Sequence, residues 1–224
     1  YAGAVNVPAH APAFADAHPM PLLAAESERL VSLWIGNRGR TAAHWDLPQN
    51  LACVIAGRRR FTLFPITQVN NLYIGPLDAT IAGQPTSLVD FHKPDFARFP
   101  RFREAMAHAA VAELEPGDVL YMPSLWVHHV EALDPFGVML NFWFRDGPDY
   151  LTTPFSTLLH ALTTLRDMPA DEKARWKVLF EQYIFEENGD PMAHLPAQAR
   201  GLFGSMTPEH LARIRERLRR SLGG

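Results

Sequence analysis

Between residues 29 and 144 the chain is a succession of short apolar runs broken by prolines and glycines. Arg29-Leu30-Val31-Ser32-Leu33-Trp34-Ile35 reads as a strand closed by Gly36, followed by a turn over 37–40 and a second strand over 41–46. Residues 49–56 and 59–64 read as a hairpin around Gly57, ended by Pro65. Residues 66–99 are loop-rich, with Gly75-Pro76, Gly83-Gln84-Pro85 and Lys93-Pro94 as breakers, and a short helix is expected near 101–109. Glu115-Pro116-Gly117-Asp118 has turn chemistry and feeds a strand over 119–122. Strands over 126–133 and 138–144 follow, split by a turn at Asp134-Pro135-Phe136-Gly137. Short strands at this spacing predict a closed or two-sheet antiparallel β fold.

The period changes after about residue 150. Leu158, Leu159, Leu162 and Leu165 share one helical face, and Trp176, Leu179, Phe180, Tyr183 and Ile184 share another. Thr207-Pro208-Glu209 supplies an N-cap, an N1 proline and an early acid for a third helix. Its Leu211, Ile214, Leu218 and Leu222 form an apolar stripe, and a homodimer through these C-terminal helices is expected. The arginines of its second half read as a solvated helix face.

Composition narrows the function classes. The chain has 224 residues, 47% of them hydrophobic and 20% charged, which suits a globular core. The formal charge of −3 argues against a nucleic-acid binder. The lone Cys53, in an apolar run, reads as a core thiol and excludes both an intrachain disulfide and a cysteine-based zinc site. No apolar stretch is long enough for a membrane span, and the N-terminus lacks the pattern of a signal peptide, so a cytoplasmic setting is expected. The chain starts without a methionine, as if inside a longer protein, and residues 1–27 read as an irregular lead-in with room for one short strand.

Phosphate-loop, dinucleotide-binding, nucleophile-elbow and H-E-x-x-H signatures are absent. Attention falls on His44-Trp45-Asp46, because residues i and i+2 of a strand share a face and can offer a nitrogen and an oxygen to one metal. A third ligand would come from His128-His129, which alternation sends to opposite faces. Trp126, His128 and Val130 make the apolar, inward face. His129 shares the other with Glu131, whose charge suits solvent. Two histidines and one carboxylate leave coordination positions open, as in non-haem Fe(II) oxygenases.

Seven ordered pieces then carry a resemblance. They are Thr41–Asp46, Gln49-Asn50, Gly57–Arg60 with Leu63-Phe64-Pro65, Asp90–Phe99, Pro116–Pro123, Trp126–Glu131 and Asn141-Phe142-Trp143. In order and spacing, over about half the chain, they resemble the Jumonji-C, or cupin-like, family of 2-oxoglutarate oxygenases, and within it the asparaginyl hydroxylases. The resemblance implies a mostly β fold, a double-stranded β-helix (jelly roll) over 28–147, followed by a helical segment over 148–224 that resembles the family's dimerisation appendage. It implies Fe(II) held by His44, Asp46 and His128, with 2-oxoglutarate and dioxygen as cosubstrates and a protein side chain or small molecule as prime substrate. Arg59 matches the family's usual lysine for the far carboxylate and departs from it: a guanidinium grips a carboxylate through a fork where an ammonium acts as a point charge. Thr41 matches a hydroxyl donor to the cosubstrate, Asn50 and Asn141 match polar residues flanking it, and Tyr1 matches a tyrosine on its far carboxylate. Trp143 reads as core packing.

Two rivals stand beside this reading. One is a cupin metalloenzyme that uses no 2-oxoglutarate, since the same ligands accept other metals. The other is a non-catalytic dimeric binding protein.

Overall fold

A computed structural model describes residues 1–24, 29–78, 80 and 83–222. The boundary expected at residues 27/28 lies outside the described residues. The chain divides into two compact units, Tyr1–Asp146 and Gly147–Gly224.

The first unit is antiparallel β. Its strands are β1 (Ala2–Asn6), β2 (Arg29–Trp45), β3 (Gln49–Ala56), β4 (Arg59–Phe64), β5 (Ala110–Leu114), β6 (Val119–Met122) and β7 (Val127–Phe144). Two of these are longer than the sequence pattern suggested. The turns expected at 37–40 and 134–137 are not reversals, because β2 and β7 run beside each other from Arg29↔Phe144 to Trp45↔Val127. The Pro and Gly residues sit instead in a local irregularity, where register slips between Asn37 and Gly39. The Leu133 N–H bonds the Arg58 carbonyl there, and Asp134 accepts from the Arg58 backbone N–H. A bend in a paired strand needs the same residues as a turn, so local sequence could not separate the two.

The bend divides the strands into two sheets. The second half of β7 lies between the first half of β2 and β3, with β1 and β6 at the edges. The first half of β7 lies between the end of β2 and β4, with β5 outside β4. Ala52, Val54, Met122 and Met139 of one sheet pack with Phe61, Leu63, Leu114 and Val130 of the other in one buried cluster. The sheets therefore face each other as a jelly roll. Strand β5, Ala-Val-Ala-Glu-Leu, escaped the sequence reading because its alternation is weak.

Each sheet is also covered outside. Residues 1–24, expected to be mostly irregular, form β1, helix α1 (Val7–His10) and helix α2 (Pro12–Ala17). Val7 and Met20 close over Val31, Leu51, Cys53, Leu140 and Phe142. On the other side, Leu72, Val89, Phe99 and Phe102 cover Ala43, Trp45, Phe64 and Val127. Phe102 opens the short helix α3 (Phe102–Ala107), shorter than the 101–109 expected. The same cover explains why Thr62, a polar residue on the outer face of β4, is buried.

The second unit holds helices α4 (Pro154–Thr164), α5 (Ala170–Tyr183) and α6 (Pro208–Leu222). Thr207 caps α6 as its sequence suggested, its Oγ1 accepting from the His210 N–H at 3.2 Å. No helix among the described residues is long and apolar enough to cross a membrane.

Candidate metal centre

His44, Asp46 and His128 meet inside the jelly roll, with one ligand atom from each lying within 4.8 Å of the others. His44 stands directly opposite His128 across the β2–β7 ladder. Four residues of β2, Thr41 to His44, stand against only three of β7, Val130 to His128. This bulge puts Thr41 on the same side of β2 as His44, where Thr41 is exposed. Asp46 lies one residue past the end of β2, not on the strand as expected. Its place is fixed by its own carbonyl, which accepts from the Leu125 N–H at 3.0 Å, and by Ser124 Oγ donating to the Leu47 carbonyl. Leu125 adopts a left-handed φ of 64° to make that contact, a strain of the kind that collects at functional sites.

The donor set fits a cation. The Nδ1 atoms of His44 and His128 lie 2.8 and 3.1 Å from the carbonyls of Ala42 and Trp126. A carbonyl requires an N–H there, so in the neutral form of each ring Nε2 carries the lone pair. Those lone pairs face the Asp46 carboxylate at 4.0 and 3.7 Å. Acceptors turned toward acceptors need a positive centre between them, and backbone-anchored imidazoles beside a carboxylate are a common metal shell. Burial and the neighbouring His44 hold the His128 pKa well below the usual histidine range, against the pull of Asp46. His128 is therefore the neutral ligand form at neutral pH.

His129 takes the opposite face, as alternation requires, but it is not at the surface. It is 6% exposed, its ring 4.7 Å from Phe91, and burial lowers its pKa. Glu131 beside it is half-buried and pairs with Arg40 and Arg60.

The three neighbouring arginines separate by face. Arg58 pairs with Asp134 at 2.9 Å and Arg60 with Glu113 at 2.6 Å, both outside. Arg59 points inward from a position level with Leu114 and Ala132 and is 7% exposed. Among the described residues no carboxylate pairs with it, and its Nε has no partner. Burial lowers its pKa, while Tyr1 pulls the other way. The guanidinium passes beside Gly137, where a Cβ would make ordinary contact with Arg59 Nη2 at 3.7 Å. Tyr1 lies over Gly36, where a Cβ would come within 2.6 Å of its ring. Tyr1 as a whole is 85% exposed; partial burial of its phenol raises that pKa, opposed by Arg59.

Asn50 and Asn141 are buried together, Asn141 Nδ2 donating to Asn50 Oδ1 at 2.7 Å. Asn50 Nδ2 reaches Asp46 Oδ2 at 3.3 Å. Asn141 Oδ1 and Trp34 Nε1 are buried without partners. Trp143, expected to be core packing, donates its indole N–H to Asp46 Oδ2 at 2.9 Å. The sequence signal for it was parity: Asn141 and Trp143 share a face of β7.

The sequence profile of the cupin-like domain matches residues 1–150. This chain belongs to the cupin-like (JmjC) family. The match covers the jelly roll and all the site residues described above. The cupin-like chain is 38% identical over 124 residues to human HSPB1-associated protein 1, covering 54% of this chain and 24% of that protein. It is 34% identical over 122 residues to lysine-specific demethylase 8 of Xenopus tropicalis, covering 54% and 26%. With tRNA wybutosine-synthesizing protein 5 of Danio rerio it shares 32% identity over 105 residues, covering 47% and 29%. The matched stretch thus spans only about a quarter of these relatives' length.

Proposed function

We propose that this cupin-like chain is an Fe(II)- and 2-oxoglutarate-dependent oxygenase, a hydroxylase acting on a protein side chain or a small molecule. The observation that carries the reading is Arg59, a buried cation without an anion among the described residues, inside the barrel that holds the His44, Asp46 and His128 cluster. A buried unpaired charge costs several kcal/mol, so the fold has a use for a carboxylate at that point. Arg59 stands four β4 residues from Leu63, which is level with His128. That is ~13 Å of strand, a gap that a guanidinium side chain and a five-carbon dicarboxylate fill together. A cupin working on its metal alone has no need of this arginine.

In this reading His44, Asp46 and His128 hold iron, Arg59 grips the far carboxylate, and Thr41 and Tyr1 offer hydroxyls to it. Asn50 and Asn141 line the cosubstrate. Iron bound there supplies the activation of dioxygen, by which 2-oxoglutarate becomes succinate and CO₂ and one oxygen atom enters a substrate C–H bond. The protein excludes water, holds the His128 imidazole neutral and presents a preset fork to the cosubstrate.

Succinate formation by the purified chain with Fe(II), ascorbate and 2-oxoglutarate tests this. Uncoupled turnover without prime substrate is the expected result. Metal uptake with no succinate would overturn the cosubstrate assignment, and no metal uptake would overturn the site.

We further propose that residues 148–224 form a homodimer interface. Helices α4, α5 and α6 bury none of their residues, and Leu158, Leu159, Trp176, Leu179, Leu218 and Leu222 are exposed. An apolar surface of this kind suits a partner helix. A monomer by light scattering at micromolar concentration would overturn it.

A further inference from the structure

The carboxylate of Asp46 is held asymmetrically. The Trp143 indole N–H donates to Oδ2 at 2.9 Å, and the Asn50 amide reaches the same oxygen at 3.3 Å. The Asn50 amide has a fixed sense, because its Oδ1 accepts from Asn141 at 2.7 Å. Turned over, it would set an oxygen against a carboxylate and an NH₂ against another NH₂. Trp143 is fixed as well: it stands opposite Asn50 on β3 and Leu30 on β2, and its ring meets Trp34 edge-on at 6.2 Å. Asp46 Oδ1, by contrast, has no hydrogen-bond donor among the described residues; it lies 4.0 Å from His44 Nε2, while Oδ2 lies 3.7 Å from His128 Nε2.

Building on the metal reading above, we propose that Trp143 is a positioning residue: with Asn50 it occupies Oδ2 of Asp46, so that Oδ1 alone is offered to the metal. Two N–H donors saturate the lone-pair directions of Oδ2. To chelate through both oxygens the carboxylate would have to give up charge-assisted hydrogen bonds. One-oxygen ligation keeps coordination positions free for a bidentate cosubstrate and dioxygen. The Asn141–Asn50 link ties this constraint to the wall of the cosubstrate pocket, where Asn141 Oδ1 is still without a partner.

The test uses Mn(II) as the probe, titrated by calorimetry into the full chain and into its Trp143→Phe variant. Phenylalanine keeps a ring against Trp34 and deletes the donor. The expected result is a Kd higher by ~10–100-fold, the usual effect of removing a hydrogen-bond partner from a ligand, with the metal-free melting temperature unchanged. The Mn(II) electron paramagnetic resonance spectrum should also change as Asp46 becomes free to chelate. If Trp143→Phe melts lower, Trp143→benzothienylalanine, of the same shape and without the N–H, must show the same loss of affinity. Unchanged affinity and spectrum in the variant overturn the proposal and leave the metal site standing. Failure of the unsubstituted chain to take up Mn(II) overturns both.

Discussion

The two faces of β4 and β7 carry the same residue types in opposite circumstances. Outside, Arg58 and Arg60 each have a carboxylate at 2.9 Å or less, and His129 lies beneath Phe91. Inside, Arg59 has no anion among the described residues, and His128 turns a lone pair toward Asp46. One residue of register separates the two environments. On the outer face both arginines are paired, and the polar atom left over is His129 Nδ1, buried against Phe91 without a hydrogen-bond partner. Under the proposed reading, the inner face takes a cation between the imidazoles and the carboxylate and an anion on the guanidinium. Polar groups left unsatisfied in an otherwise packed interior mark the place a ligand fills.

The largest test of that contrast removes the inner ligands. His44→Ala and Asp46→Ala should each abolish metal uptake, measured by Mn(II) titration, with the fold retained by circular dichroism. Full activity in either purified variant would remove the metal assignment.

Adjacent residues give the next sharpest comparison. His128→Ala should be inactive in succinate formation, whereas His129→Ala should keep metal uptake and measurable turnover, losing only its packing on Phe91. The reverse pattern would mean that the inward and outward assignments of β7 are exchanged, since one residue of slip inverts every side chain.

The inner face was largely legible in the sequence because it depends on alternation. Phe61 and Leu63 beside Arg59, and Trp126 and Val130 beside His128, do pack in the core between the sheets. What stayed hidden depends on partners distant in sequence. Whether residues 134–137 turn or bend depends on β2, about a hundred residues earlier. The burial of Thr62 and His129 depends on the cover supplied by residues 66–109. The role of Trp143 depends on Asp46, which lies beyond the end of a strand and is held there by Leu125. An indole N–H carries no local sign of its acceptor.

Arg59 allows a graded measurement. Arg59→Met should raise the 2-oxoglutarate requirement by ~10–100-fold, the value of a charge-assisted pair at ~1.5–3 kcal/mol. Arg58→Met and Arg60→Met should do much less, because exposed ion pairs contribute ~0–1 kcal/mol and only to stability. Titration of 2-oxoglutarate against the three variants decides the matter. Equal effects, or a larger loss at Arg58, would place the anchor elsewhere.

The smallest effect lies on the outer face of the other sheet. Cys53 is buried with Leu51, Leu140 and Phe142 under the N-terminal segment, and burial pushes its thiol up to about 11. Being an acid with a raised folded-state pKa, it costs nothing below the unfolded value near 9. As pH rises past that, the unfolded chain releases the proton while the fold still retains it, so stability falls until about pH 11. The gap between the two values sets a ceiling of about 2.7 kcal/mol, at 1.36 kcal/mol per pH unit. Chemical denaturation of the wild type and of Cys53→Ala at pH 8, 9.5 and 11 isolates this contribution from other groups that titrate there. The difference between the two proteins should shift by roughly 1–2 kcal/mol between pH 8 and 11, with the wild type losing more. A parallel dependence would mean that the thiol is accessible, and that the cover formed by Val7 and Met20 does not exclude water from this face as it does on the side closed by Phe99 and Phe102.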